Sequence, residues 1–372
     1  MHRRDLFWGV ATLVAVEPTS LALVHCAKTG DRSALAWQAA LAPFARVEFV
    51  VSDGAQGIAA GVRAVGQTRA AQAAVAATVA TPLVHGLDVF HTAMEAERVL
   101  AGYWRRAEGL WETAEQADRA VVDVNRRGRN RQQAAAVAYQ AWCKAEKAFA
   151  EAERCEHAWQ RAHAALQIYR PDGTLNDRGW AGAEIEAALA ALPGPDWRKT
   201  RGFLRDRRTL AFLDRMHQRL AKAVPDEALR NVCVRRYWLR HQPPASPAMT
   251  PSEQVLQVLY GIARDGALSA EEQAAYERVK AVLTTTVRAS SAVEGANSVS
   301  RMHQCRHRRM TQGLLDLKRL YWNCRKLPTG RRRRHSPYEL LGAGLPTTDF
   351  WALLQSNPAE LQQLLSSKRL RE

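Results

Sequence analysis

Three carboxylates stand where they could do chemistry: Asp5, Asp53 and Glu294. Glu294 is the one acid in the run Thr284–Arg301, which leads into a strongly basic stretch. On a helix, Glu294, Asn297 or Ser298, and Arg301 recur at i, i+3 or i+4, and i+7, and so share a face. A solvated face with Glu294 offset by Arg301 is the plain reading of that spacing; a carboxylate held at a site is the other. Asp53 follows the apolar run Arg46–Val51, at the strand end where open α/β sheets place ligand-binding residues. Asp5 comes just before the first apolar run. Three converging carboxylates cannot all ionise without a counter-charge, which Mg²⁺ or Mn²⁺ commonly provides. Two such ions about 4 Å apart activate an attacking oxygen and stabilise a leaving one in phosphoryl transfer.

The elements that must position these acids can be read in order. Ala11–Val16 and Leu21–Cys26 are short apolar runs joined by Glu17-Pro18-Thr19-Ser20, which predicts two neighbouring strands and a tight turn. Asp31–Ala42 has the apolar spacing of an amphipathic helix, Arg46–Val51 reads as a strand, and Gly57–Ala80 as an alanine-rich helix. Thr81–His91 reads as a short strand running into a new helix. The order predicts a mixed α/β layer with helices covering the sheet. From about His91 to Lys280 the chain is rich in Ala, Glu, Gln and Arg at a 3.6-residue period, which predicts helices including a long hairpin. The breaks fall at Asn125–Asn130, Tyr169–Gly173, Leu192–Pro195 and Gln242–Pro247, and no fixed-period repeat is present. Helix continues through Glu294 and Leu314–Trp322, and a short last helix has Thr348 or Asp349 as its cap.

Composition narrows the partner. The 372 residues carry a formal charge of +16, and from residue 281 onward 16 Lys and Arg stand against 6 Asp and Glu, a net +10. Such an excess points to a polyanion, nucleic acid before anionic membrane. The six cysteines form no C-x-x-C pair, which argues against a disulfide scaffold and a zinc ribbon. His303-x-Cys305-x-His307 has ligand residue types but no evident fourth ligand. Met1-His-Arg-Arg before Leu6–Val16 has the outline of a secretory signal, but Asp5 interrupts it and Glu17-Pro18 ends it without a small-residue cleavage site. No other run approaches the roughly 18 apolar residues of a membrane span.

The strand order, Asp53 after its strand, and Ser290-Ser-Ala-Val-Glu-Gly-Ala-Asn-Ser-Val-Ser-Arg301 followed by Leu314-Leu-Asp-Leu-Lys-Arg-Leu-Tyr-Trp-Asn323 resemble a bacterial insertion-sequence transposase of the DDE type. The resemblance implies an α/β fold with an RNase H-like mixed sheet flanked by helices and interrupted by a large all-helical insertion. Residues 1–91 and 281–345 would form the core, 92–280 the insertion and 346–372 a C-terminal tail. It further implies metal-dependent DNA cleavage and strand transfer, with Asp5, Asp53 and Glu294 holding two Mg²⁺ or Mn²⁺ ions. Asp88-Val-Phe-His91 looks like the D-x-x-H signature of several transposase families, and Arg301 like the basic residue many keep on the helix of the third acid. Only Met1-His-Arg-Arg precedes Asp5, so the family's first strand and upstream helix-turn-helix region have no counterpart, as in an N-terminally truncated copy. The implied partner is double-stranded DNA, with homo-oligomers on paired DNA ends and a place on the nucleoid in the bacterial cytoplasm.

Other readings stand beside this one. Gly54, Gly57 and Gly61 after a strand could form a phosphate-cradling turn, although the spacing is not G-x-G-x-x-G and no Walker lysine follows. Histidines His85 and His91 flank Asp88 and could be satisfied by local hydrogen bonds alone. Trp104, Trp111, Trp142 and Trp159 read as helix core rather than as a base-stacking platform. Arg331, Arg332, Arg333 and Arg334 with Lys326 form a positive run that Glu339 cannot neutralise alone, which points to phosphate contact. Arg306, Arg308 and Arg309 would extend that surface. A remnant that binds DNA without cutting it, or a helical scaffold protein, would share many of these features.

Overall fold

Glu17 sets the first described turn. Its carboxylate accepts from the Thr19 N–H at 2.9 Å and from both the N–H and the hydroxyl of Ser20 at 2.6 Å. Leu21 completes the reversal at φ 63°. Strands β1 (Ala11–Glu17) and β2 (Ala22–Thr29) thereby pair antiparallel, with a register shift between Ala15 and Val16. The computed structural model describes residues 11–79, 82–127, 131–242, 249–266, 268–306, 311–357 and 359–361. The chain up to Asp88 packs with the chain from Val287 onward as one unit, and Val89–Thr286 form a second.

In the first unit, Ser33 caps α1 (Ala34–Leu41), its hydroxyl accepting from the Ala36 N–H. Strand β3 (Phe49–Ser52), helix α2 (Gln56–Val75) and strand β4 (Val84–Leu87) form a β-α-β crossover, so β3 and β4 pair parallel. Leu41, Ile58, Val62 and Val65 pack with Trp37, Val50 and Leu83 between the helices and this pair. The Arg69 guanidinium ties α2 to the loop before β3, donating to Val47 O and Phe44 O at 2.6 Å.

The late part of the chain returns to the hairpin. Helices α11 (Ser291–Arg306) and α12 (Gln312–Cys324) bring Ala296 and Leu315 against Leu23 and Cys26, with Val14, Val16 and Trp322 around them. Helix α12 lies along the outer edge of β2 and satisfies its peptide groups with side chains. Asn323, 2% exposed, accepts from Leu23 N at 2.8 Å and donates to Leu23 O at 3.1 Å. Gln312 accepts from Lys28 N at 2.9 Å and donates to Cys26 O at 3.1 Å, while the Trp322 indole donates to Leu21 O at 2.9 Å. Burial in this cluster pushes the Cys26 thiol up to about 11.

The second unit is helical, as its composition predicts. Helices α3 (Val89–Arg126) and α4 (Arg131–Ala165) form a long antiparallel hairpin. Ala107 meets Ala148 and Ala152, while Trp111 meets Trp142 edge-on at 4.8 Å and Phe149 at 5.0 Å. Of the four tryptophans read as core, Trp159 is buried, Trp104 and Trp142 are half-buried, and Trp111 is exposed at the edge of the hairpin contact; the Trp142 indole donates to Asp118 at 2.7 Å. Helices α5 (Arg178–Ala190), α6 (Arg198–Arg205), α7 (Ala211–Ala223), α8 (Glu227–Arg240), α9 (Pro251–Asp265) and α10 (Ala270–Thr284) complete the unit, with Trp197, Leu213, Met216, Leu220 and Tyr276 fully buried.

The chain is thus helix-rich with two small sheets. Where the sequence predicts one mixed sheet, the described strands form two separate pairs, each covered by its own helices. The two units join in sequence at Asp88/Val89 and Thr286/Val287, where α3 starts directly after β4 and α10 has ended at Thr284. Among the described residues no helix is long and apolar enough to cross a membrane.

Replacing Asn323 with Ala leaves the buried N–H and C=O of Leu23 without partners. The expected loss is about 2–4 kcal/mol of unfolding free energy, read from urea denaturation with the Trp322 environment as probe. A pH effect is expected at the hairpin turn. Burial raises the Glu17 carboxyl, but the donors of Ser20 and Thr19 outweigh it and hold it below its ordinary 4.5. Its contribution is present above that ordinary value and is lost as pH falls through the depressed folded one. Glu17→Gln should therefore flatten the acid limb of the unfolding curve.

Candidate active site

The β-branched and aromatic run Phe49-Val50-Val51 pairs parallel with Val84–Leu87, in a register that sets Ser52 opposite Leu87. Asp88 N then donates to Ser52 O at 2.9 Å. Asp53 and Asp88 consequently leave the carboxyl ends of two adjacent parallel strands, the edge where open α/β sheets bind ligands. Asp53 is half-buried and accepts from the Ala55 N–H at 3.2 Å, and Gly54 follows at φ 78°, a left-handed conformation that glycine adopts without strain. Beneath this turn the Ser52 hydroxyl is 2.8 Å from His85 Nε2. Asp88 is 2% exposed and accepts a hydrogen bond from the Ser290 hydroxyl.

Ser290 leads directly to Glu294. Helix α10 stops because Thr284, Thr285 and Thr286 turn their hydroxyls back onto the carbonyls of Lys280, Ala281 and Val282 at 2.7, 2.6 and 2.9 Å. A non-helical link follows, containing the half-buried Arg288, whose guanidinium burial holds below its ordinary value. The Ser290 carbonyl then accepts from Val293 N at 2.8 Å and Glu294 N at 3.3 Å and starts α11. Glu294 is half-buried in the first turn, where the helix dipole favours an acid. Asn297 is half-buried and Ser298 exposed on later turns. The predicted continuous helix through Glu294 is therefore two helices with a link between them, and Glu294 belongs to the start of the second.

His91 lies in the first turn of α3, in the helical unit, edge-on to Phe90 at 5.8 Å, while Asp88 belongs to the first unit. Asp5, Arg308 and Arg309 lie outside the described residues, as does the His303–His307 ligand pattern as a set; Arg301 and Arg306 are on α11 without described side chains. Asp53 and Glu294 offer hard oxygen donors of the kind Mg²⁺ and Mn²⁺ take. Among the described residues no three His, Cys, Asp or Glu side chains gather as a metal centre.

The arginine run is a closed loop. Leu327 N donates to His335 O at 3.0 Å and Arg334 N to Leu327 O at 2.9 Å, with Arg334 at φ 69°. Arg331, Arg333, Arg334 and Lys326 are exposed. Arg332 is used differently from the prediction: its guanidinium donates to Thr19 O at 2.6 Å and Pro18 O at 2.8 Å and so braces the β1–β2 turn. Glu339 sits in the capping box of α13 (Pro337–Leu341) with Ser336 and also accepts from Thr348. Asp349, rather than Thr348, caps α14 (Phe350–Gln355).

Sequence reasoning missed the Asp88–Ser290 contact and the amide pairing of α12 with β2. Gln312 and Asn323 are 11 residues apart, about three helical turns, and two carboxamides on one face were the available signal for the second. The glycines of the phosphate-turn alternative have a packing role. A Cβ on Gly57 would lie 1.9 Å from Arg32 O, and one on Gly61 2.5 Å from the Trp37 Cβ, so both permit close approach to α1 and the residues before it. No protein-family model, curated protein or solved structure matches the chain.

Gly57→Ala must displace backbone, and is expected to cost about 1–3 kcal/mol of stability. Gly102→Ala, on a helix of the second unit with open space at its Cβ, should be neutral or slightly stabilising. Thermal unfolding of the two variants compares them directly.

Proposed function

We propose that the chain is a DNA-cleaving and strand-transferring enzyme of the DDE-transposase type, built on an RNase H-like core with the helical unit as its insertion. The observation that carries the reading is the carboxyl edge of β3–β4: Asp53 and Asp88 leave it side by side, and Ser290 joins it to the first turn of α11, where Glu294 sits. The net charge of +16 and the exposed loop arginines support DNA as the partner.

Asp53 and Glu294, with Asp5 as the third acid, would hold Mg²⁺ or Mn²⁺, which supplies the positive charge that phosphoryl transfer needs at the attacking and leaving oxygens. Arg331, Arg333 and Arg334 hold the phosphate backbone in register without reading sequence. Water attacks a phosphodiester and frees a 3′-hydroxyl, which attacks a second strand at the same site. On this reading the chain works on nucleoid DNA as a dimer or larger assembly on paired ends. The exposed arginine loop also supports a second reading, a chain that binds DNA without cutting it.

Purified protein should nick supercoiled plasmid in Mg²⁺ or Mn²⁺, and Asp53→Asn and Glu294→Gln should each lower the rate by about 100-fold or more. Salt-sensitive binding without any nicking by the wild type would replace the enzyme with the DNA-binding reading. The slope of log affinity against log salt should fall by about 1 for each of Arg331→Ala, Arg333→Ala and Arg334→Ala. Arg332→Ala should instead lower stability and change that slope less.

A further inference from the structure

Asp88 and Ser290 are 202 residues apart in sequence and meet at the end of β4. Both are held by their main chains as well. Asp88 N donates to Ser52 O and so belongs to the β3–β4 ladder, while Ser290 O receives the N–H groups of Val293 and Glu294 and so belongs to the start of α11. The single hydrogen bond between their side chains therefore ties a sheet edge to a helix start. Because the threonine stop ends α10, α11 does not inherit its position along a continuous helix. Ala296 and α12 hold its later turns against the hairpin, but the first turn has its own tether in Ser290.

We infer that Asp88 and Ser290 form a latch that positions Glu294 against the carboxyl edge of β3–β4, with Asp88 acting as a positioning residue and not as a metal ligand. This rests on the enzyme reading for its consequence in catalysis, but not for the latch itself. Asp88, 2% exposed, accepts a hydrogen bond from the Ser290 hydroxyl and so has part of its lone-pair capacity committed. The contact joins the buried Asp88 to the half-buried Ser290, and a hydrogen bond sheltered on one side is not easily replaced by water. Removing it frees the first turn of α11 to fray, as helix ends do once an anchoring contact is lost.

Ser290→Ala, Ser290→Thr, Asp88→Asn and Asp88→Ala separate the roles. Amide hydrogen exchange across Glu294–Asn297 is the readout that needs no activity. Exchange there should rise about tenfold or more in Ser290→Ala and Asp88→Ala, no further in the double variant, and return toward wild type in Ser290→Thr. The Leu23 amide, held by Asn323, should not change and reports intact folding. Nicking at saturating DNA should fall about tenfold in Ser290→Ala with DNA affinity unchanged, and Ser290→Thr should restore it. Asp88→Asn keeps an acceptor oxygen and should be milder than Asp88→Ala. Unchanged exchange in Ser290→Ala overturns the latch, and so does an additive double variant. Abolished nicking in Asp88→Asn beside near-normal Ser290→Ala makes Asp88 a ligand and also overturns it. A wild type that does not nick removes the enzyme reading, while the exchange result still decides the latch. If Asp88→Ala does not fold, the two Ser290 variants decide the matter.

Discussion

The pairing of the Asn323 carboxamide with the peptide of Leu23 is the constraint on which the first unit depends. A two-stranded hairpin has two open edges, and a buried peptide group left without a partner costs more than an average hydrogen bond contributes. On β2 that edge is closed by a helix: Asn323 and Gln312 present amides at three-turn spacing, and the Trp322 indole adds a donor at Leu21. The edge is then no template for another strand. Its closure also brings residues about 300 positions apart into one core, so the hairpin is complete only when the late chain has returned.

With α12 fixed along β2, α11 is placed by the same cluster through Ala296. The later turns of α11 are thereby held against the hairpin, while its first turn, with Glu294, begins at Ser290. The local chemistry is economical in the same way. Three consecutive threonines end one helix by competing for its last carbonyls, and a serine four residues later begins the next while bonding across to Asp88.

The arginine loop divides its labour. Arg332 reaches the carbonyls of Pro18 and Thr19 and fastens the loop to the hairpin turn, and that turn is itself organised by Glu17. Its neighbours are left exposed with their charges in solvent. A loop braced in this way keeps its shape without help from a ligand.

Local signals in the sequence determined a good deal. The β1–β2 hairpin follows from two apolar runs around Glu17-Pro18-Thr19-Ser20, the helical unit from its alanine-rich 3.6-residue period, and the exposed charge of the arginine loop from its density. Asp53 at a strand end and Glu294 on a helix were legible because strand, turn and helix preferences act over a few residues. Tertiary structure alone decided the rest. It made Gly57 and Gly61 packing residues, set Arg332 against a distant turn, split the Glu294 helix at the threonines, and joined Asp88 to Ser290. Each of these depends on which atoms lie opposite after the chain has returned over hundreds of residues. A side chain's type states which bonds it can make, while its partner is settled only by the packing that buries them both.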